Sequence, residues 1–444
     1  MYFIREVEFI KVSENEYFML NLINGAADMI DKKLYEKIID YDFEKIDSTT
    51  TIMLLERKYL YNSKEEYKEF ISDINTKIEL LENESTPNFL IIPTYACNLS
   101  CIYCYEQTYM IKGTSEKKPN ELINIQFDRI DRIVEDFRDK TKRISDDIRI
   151  TIMGGEPLLK CNINTIEYIF SMAKERGYSV DIVTNGVDLN NYMDLFINYK
   201  ETLKHIQITI DGVKDIHDKR RVFHDGKGSF DMIMKNVEIA LQNNILVYLR
   251  VNVDGSNINE LPKLANTLKE KFGNNENLQD GGCSGEANIM NEKIGIERIF
   301  ELEDMNPNMA IFYKKFHPAE FINSIFNDSP YQPVLRHCAA SKNQFIMDCK
   351  ANVYKCWHGI GNNNYRVGTY DPCYNIDKEK EKTWKNRSTS KLLKCLDCKY
   401  RYICGTGCPA ATHKKDTDMN VKAPSCVDYK QLIKTIVLEK LKRM

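Results

Sequence analysis

Two sets of cysteines are spaced closely enough to act together. Cys97, Cys101 and Cys104 follow C-x3-C-x2-C, and Cys395, Cys398, Cys404 and Cys408 follow C-x2-C-x5-C-x3-C. Thiolates at such spacing are ligands for zinc or for iron–sulfur clusters. The chain has 14 cysteines, and its start places Arg5, Glu6, Glu8 and Lys11 where an export signal needs an unbroken apolar stretch. A cytoplasmic, reducing location is therefore expected, where disulfides are disfavoured and metal is the first reading. Three thiolates on one short loop reach three corners of a cluster and leave a fourth iron open, which suits reactivity. A structural zinc site completed by a distant His or Cys is the alternative, and the spacing alone leaves both open.

These thiols need a scaffold, and the composition permits one. The 444 residues, 43% hydrophobic and 29% charged, can bury more than one core and are neither disordered, collagenous nor a coiled coil. No apolar run is long enough for a membrane span. With 62 basic and 65 acidic residues and a net charge of −3, no general field favours nucleic acid, and neither nucleic acid nor membrane is expected as a partner.

From residue 87 to 253 short apolar runs alternate with helical periodicity, predicting βαβ units and a parallel sheet. Five runs read as strands, at 89–92, 148–153, 180–183, 206–210 and 246–251. Parallel β/α folds carry their chemistry at the carboxyl ends of strands. Here those ends hold the first cysteine set, Gly154-Gly155-Glu156-Pro157, Thr184-Asn185-Gly186, Asp211-Gly212, and Arg250 with Asn252 and Asp254. Each alone is ordinary turn chemistry, whereas five in succession point to one site.

In this setting the first set resembles the signature of the radical SAM superfamily, C-x3-C-x-aromatic-C, with Tyr103 at the aromatic position. The resemblance covers roughly residues 88 to 260 and implies a partial (β/α)6 barrel of TIM type. It further implies that Cys97, Cys101 and Cys104 hold a catalytic 4Fe-4S cluster. S-adenosylmethionine would be held by a set comprising Tyr103, Gly154, Gly155, Glu156, Pro157, Thr184, Asn185, Thr209, Asp211, Arg221 and Arg250. In that set Glu156 and its backbone receive the amino group, and Arg221 and Arg250 meet the carboxylate. The implied chemistry is reductive cleavage of S-adenosylmethionine to a 5′-deoxyadenosyl radical that takes a hydrogen atom from substrate, with a reductant such as ferredoxin or flavodoxin. The stretch Asp211-Gly212, His217-Asp218 and Arg221 is similar to one common in peptide-modifying members.

The later cysteines resemble the SPASM domain, with Ala351 where a Gly is expected in a hairpin turn. The resemblance implies two auxiliary 4Fe-4S clusters and hence three in all. One takes Cys338, Cys356 and Cys408, and the other Cys395, Cys398, Cys404 and Cys426. The first lacks a fourth ligand, for which Cys349, Cys283 or an open iron are the options. Cys161 and Cys373 read as ordinary residues.

The expected domains are 1–86, an α+β module with a winged-helix-like order of hairpin then helices; 87–315, the barrel; and 316–444, the iron–sulfur domain. Glu82 to Pro87 reads as a linker, and the helix after Ser63 presents Tyr67, Phe70, Ile71, Ile74, Ile78 and Leu81 on one face. The module resembles elements that bind leader peptides as an added strand; a simple packing domain is the alternative. The reading is thus a maturase that crosslinks a precursor peptide carrying a leader, through a thioether or a carbon–carbon bond. The first alternative is an anaerobic sulfatase-type maturase making formylglycine. Its group places a basic Asp after the second SPASM cysteine, where this chain has Trp357 and His358. The second is a zinc-stapled binding protein without chemistry.

Overall fold

The structure, a computed structural model, describes residues 1–104, 124–140, 148–284, 298, 301–302, 304–312, 317–327, 331–412 and 419–444. The short antiparallel pair β1 (Tyr2–Phe3) and β5 (Leu60–Tyr61) and a sheet of β2 (Val7–Lys11), β3 (Glu16–Asn21) and β4 (Ala27–Asp31) open the fold. The expected hairpin is β2–β3, and β4 extends it to three strands. The sequence ADMID hides β4 because only Ile30 is buried. Helix Lys64–Asn83 begins as expected at Ser63, whose Oγ accepts from the Glu66 N–H at 3.1 Å. Tyr67 and Ile78 are buried, but Leu81 is exposed, since the helix has turned that position away from the core by its last turn.

The main sheet begins with β6 (Asn88–Ile92), β7 (Arg149–Ile152), β8 (Ser179–Thr184), β9 (Leu203–Thr209), β10 (Val247–Asn252) and β11 (Leu278–Ser284), all parallel and in order β11-β10-β9-β8-β7-β6. Five of the six are the predicted runs. The sixth, β11, falls partly on Gly281-Gly282-Cys283, where the paired glycines locally favour a turn; pairing with β10 from Val247↔Leu278 to Asn252↔Ser284 overrides that signal. One face of these strands is wholly buried, with Phe89, Ile91, Ile150, Ile152, Ile182, Ile206 and Val251 showing no exposure, while Thr151, Gln207, Tyr248 and Arg250 on the other face are only partly buried. Helices such as Ile163–Arg176, which buries Ile166, Ile169, Phe170 and Ala173, supply the covering layer.

The same sheet continues past β6. Strand β12 (Gln344–Asp348) pairs parallel with β6 from Gln344↔Asn88 to Asp348↔Ile92, and β13 (Asn352–Tyr354), β14 (Arg366–Thr369) and β15 (Asn375–Ile376) follow antiparallel. The expected hairpin is present as β12–β13, with Ala351 at φ 65° performing the glycine's left-handed turn. One ten-stranded sheet therefore joins the barrel to the cysteine-rich region.

The cores also cross the expected boundaries. Leu335 and Tyr402 pack with Ile4, Met19, Leu60 and Ile78, while Phe321, Ile403, Tyr429 and Ile433 pack with Ile10, Phe18, Leu20 and Leu22. Glu82 is buried, not part of a free linker. The N-terminal segment thus completes the core of the C-terminal region. Among the described residues no helix is long and apolar enough to cross a membrane.

Candidate active site

The chain leaves β6 at Ile92 and runs across the carboxyl end of the sheet, where it is tied on both sides. Thr94 O accepts from Gly155 N at 3.2 Å and Ala96 O from Glu156 N at 2.8 Å. On the far side Ser100 N donates to Val222 O at 2.7 Å and Ile102 N to Arg220 O at 3.1 Å, while His224 Nε2 sits 2.9 Å from Cys97 O. Cys97, Cys101 and Cys104 are therefore fixed by backbone bonds from the end of β7 and from the end of helix Lys214–Arg220, with Cys101 buried and the other two partly so. Burial, then the nearby Glu156, pushes the Cys97 thiol up. The paired glycines permit this closeness. A Cβ on Gly154 would lie 2.9 Å from Thr94 O, and one on Gly155 only 2.3 Å from Ala96 O.

Glu156, 1% exposed, turns inward. It accepts from Leu158 N at 2.9 Å, Thr184 Oγ1 at 2.6 Å and Asn185 N at 2.7 Å, bracing the end of β8, and burial pushes its carboxyl up to about 7. Three donors against a carboxylate's roughly four acceptor positions leave one position on Oε2. Asn185 in turn donates to Asn98 Oδ1 at 2.7 Å and reaches Cys97 Sγ at 3.7 Å. Pro157 O accepts from Asn162 Nδ2 at 3.0 Å.

Across the loop, Tyr103 ties the segment after β6 to the end of β9 and to the end of helix Lys214–Arg220. Its hydroxyl donates to Asp211 and accepts from Arg221 Nη1 at 2.8 Å. Asp211, fully buried, also accepts from Asn252 N at 2.9 Å and pairs with Arg220 at 3.5 Å. Burial alone would weaken the Arg221 charge, but Tyr103, Cys101 and Asp211 more than restore it. Its Nε is buried with no hydrogen-bond partner. Thr209 and Arg250 stand opposite one another in the β9–β10 register, one step from this group.

Arg220 received no role from the sequence. It binds Asp254 at 2.8 Å, Ser256 and Asn252 O, and lies 5.1 Å from the centre of the Tyr103 ring. Its position beside Arg221 was the available signal. His217, fully buried, accepts from Asp211 N at 3.3 Å and meets Ser229 Oγ at 3.1 Å. Burial first, then Arg221, Lys214 and Arg220, pulls its imidazole down to about 3, so it is neutral.

The C-terminal cysteines fall into two groups. Cys338 and Cys408 both act electrostatically on Cys356, and Cys408 on Cys338. Cys398 and Cys426 act on Cys395, and Cys395 and Cys398 on Cys404. The turn 405–407 interleaves the groups, with Gly405, Thr406 and Gly407 all at positive φ. A Cβ on Gly405 would lie 2.6 Å from His337 N, beside Cys338; one on Gly407 would lie 2.1 Å from Ser425 O, beside Cys426. Cys349 belongs to neither group. It follows β12, where the Tyr95 backbone reaches its thiol and the thiol in turn adds to the upward push on the Tyr95 hydroxyl. The backbone of Cys283 lies on β11, at the other edge of the sheet. Cys161 and Cys373 are exposed. Among the described residues no three His, Cys, Asp or Glu converge on a single-ion site.

Residues 91–268 match the model of the Radical SAM superfamily. The chain is 24% identical over 335 residues to the cysteine-type anaerobic sulfatase-maturating enzyme of Clostridium novyi, covering 70% of this chain and 84% of that one. A structure of anSMEcpe with bound AdoMet and the Cp18Cys peptide superimposes with a TM-score of 0.57 at 16% identity, covering 81% of this chain and 98% of that one. Streptococcus suis SuiB bound to precursor peptide SuiA gives 0.50 at 14% identity, with 92% and 95% covered. The α/β architecture is thus shared with both structures. The chain carries a radical SAM domain.

Proposed function

We propose, from the premise of a radical SAM domain, that this chain is a maturase that crosslinks a ribosomally made precursor peptide through a thioether or carbon–carbon bond. The observation that carries the reading is the joining of β12 to β6, which holds two further cysteine groups in the same sheet as the three-cysteine loop. Taking a hydrogen atom from a peptide and closing a bond leaves an electron to be disposed of. Thiol-rich groups near the site are a place for it. We assign Cys338, Cys356 and Cys408 to one auxiliary 4Fe-4S cluster and Cys395, Cys398, Cys404 and Cys426 to the other, giving three in all. Cys349 and Cys283 are left out as fourth ligands of the first.

The residues at the mouth fit the superfamily's cofactors. Cys97, Cys101 and Cys104 would hold the catalytic cluster, and S-adenosylmethionine when bound supplies a 5′-deoxyadenosyl radical. Arg221, with a buried Nε to spare, suits a carboxylate, and the remaining acceptor position on Glu156 suits an ammonium. Asn185 orients Cys97 and the loop. Tyr103 and Asp211 hold Arg221 in place, and with Arg220 they close the mouth to water. We assign peptide capture to the free edge of β4 and delivery of electrons to an external reductant protein.

The similarity to the Clostridium novyi enzyme favours a second reading, formylglycine formation. Against it, exposed Trp357 and His358 follow Cys356, and the nearby Asp348 is fully engaged by Tyr95, Lys350 N and Asn352. Mass spectrometry with tandem fragmentation of a serine-free, cysteine-containing precursor peptide co-expressed with the chain decides between them. A crosslink sheds two hydrogens and keeps sulfur, whereas formylglycine formation from cysteine sheds the sulfur. Retention of an unmodified peptide alongside active S-adenosylmethionine cleavage would overturn both.

A further inference from the structure

Between the two C-terminal cysteine groups lies a buried cation with no carboxylate. Arg387, 1% exposed, follows helix Lys378–Lys385 and reaches into the turn that interleaves the groups. Nη1 donates to the carbonyls of Asn420 at 3.3 Å, Val421 at 3.1 Å and Ala423; Nη2 donates to Thr406 at 3.3 Å and Gly407 at 3.1 Å. Its Nε is buried without a partner. No Asp or Glu among the described residues forms an ion pair with it, unlike Arg336 or Arg401, whose partners are Glu82 and Glu6. A guanidinium taken out of water without a counter-charge is strongly disfavoured, so its placement requires an anion.

The groups close enough to act electrostatically on Arg387 are Cys338 and Cys408 from one set and Cys395 and Cys404 from the other, all of which become anionic on ligating metal. The carbonyls it grips belong to residues 406 and 407, between Cys404 and Cys408, and to residues 420–423, leading to Cys426. Held there by backbone alone, the side chain has no freedom to follow one group and leave the other. A four-iron cluster on three or four thiolates is net anionic and becomes more so on reduction. A fixed cation close by stabilises the reduced form, which raises the potential.

We propose that Arg387 is the shared counter-charge of the two auxiliary clusters, raising the reduction potential of both. This rests on the assignment of clusters to the two cysteine groups. It makes Arg387 a positioning residue for electron acceptance, not a catalytic one.

The test uses the full chain with Cys97, Cys101 and Cys104 replaced by Ala, so that only C-terminal clusters report. The chain is reconstituted anaerobically, assayed for iron and zinc, and titrated potentiometrically with detection by electron paramagnetic resonance. Arg387→Gln is expected to keep its iron and shift both midpoints to more negative values, while Arg387→Lys stays near the parent. Unchanged midpoints in iron-loaded Arg387→Gln, a shift of one cluster only, or equal shifts in the Lys variant overturn the proposal. Should Arg387→Gln lose iron, retention in Arg387→Lys supports the charge role, and equal loss in both overturns it. A parent chain that binds zinc and shows no cluster signal fails the cluster assignment itself and removes the proposal with it.

Discussion

Arg336 donates through Nη1 to the carboxylate of Glu82 at 2.9 Å, across 254 residues of sequence and with both side chains buried. The same carboxylate accepts the N–H groups of Leu335 and Arg336 at 3.0 Å and lies 3.4 Å from Lys342 Nζ. The end of helix Lys64–Asn83 is therefore anchored to the segment that leads into Cys338. At a second point of contact Arg401 pairs with buried Glu6 and Lys399 with buried Glu8, fastening the Cys395–Cys404 loop to β2 and its approach.

Glu82→Ala leaves Arg336 with Glu79 as its remaining carboxylate and two backbone donors without their acceptor, and should lower stability by about 2–3 kcal/mol. Equilibrium denaturation with urea measures it. A chain beginning at Pro87 is expected to aggregate and to lose iron from the C-terminal groups, because Leu335, Tyr402, Ile403 and Ile433 lose the surfaces that cover them. Soluble recovery with unchanged iron would contradict this and restore the view of a removable module.

Replacing Cys97, Cys101 and Cys104 with Ala should abolish conversion of S-adenosylmethionine to 5′-deoxyadenosine under dithionite. Iron should fall from about twelve to about eight per chain. Replacing Cys395 and Cys398 should remove about four irons as well, while leaving the catalytic loop loaded. Product analysis by chromatography and iron assay separate the two losses.

His217 supplies a pH dependence with a definite sign. Its imidazole titrates near 3 in the fold against an ordinary 6.5, so below pH 6.5 the unfolded chain binds a proton that the native state refuses. Its contribution is retained above pH 6.5 and lost progressively as pH falls toward 3. Between pH 7 and pH 5 the wild type should lose more unfolding free energy than His217→Gln. Parallel slopes for the two would show that another group dominates.

Ala351 holds a left-handed conformation that costs an L-residue about 1–2 kcal/mol, and glycine avoids this at a smaller cost in chain entropy. Ala351→Gly should stabilise the protein by about 0.5–1 kcal/mol. Chemical denaturation monitored in the far ultraviolet reads the gain, and a loss would indicate that the Ala351 methyl packs against the core.

The sequence by itself determined the five strands from β6 to β10, the loaded strand ends and the cysteine spacings. Those signals are local: alternation of apolar runs with helical periodicity, and ligands a few residues apart on one loop. The Ser63 cap and the β12–β13 turn are local in the same sense. Only the tertiary structure decided that β12 joins β6, that Gly281 and Gly282 lie in a strand, and that Ile30 belongs to a third strand of the small sheet. Each depends on a hydrogen-bonded neighbour remote in sequence or on a short segment with weak apolar character. The turning of Glu156 onto Thr184, and the burial of Glu82 and Arg387, were equally illegible. A buried charge is stable only where its partners converge, and those partners come from segments that meet only once the chain has folded.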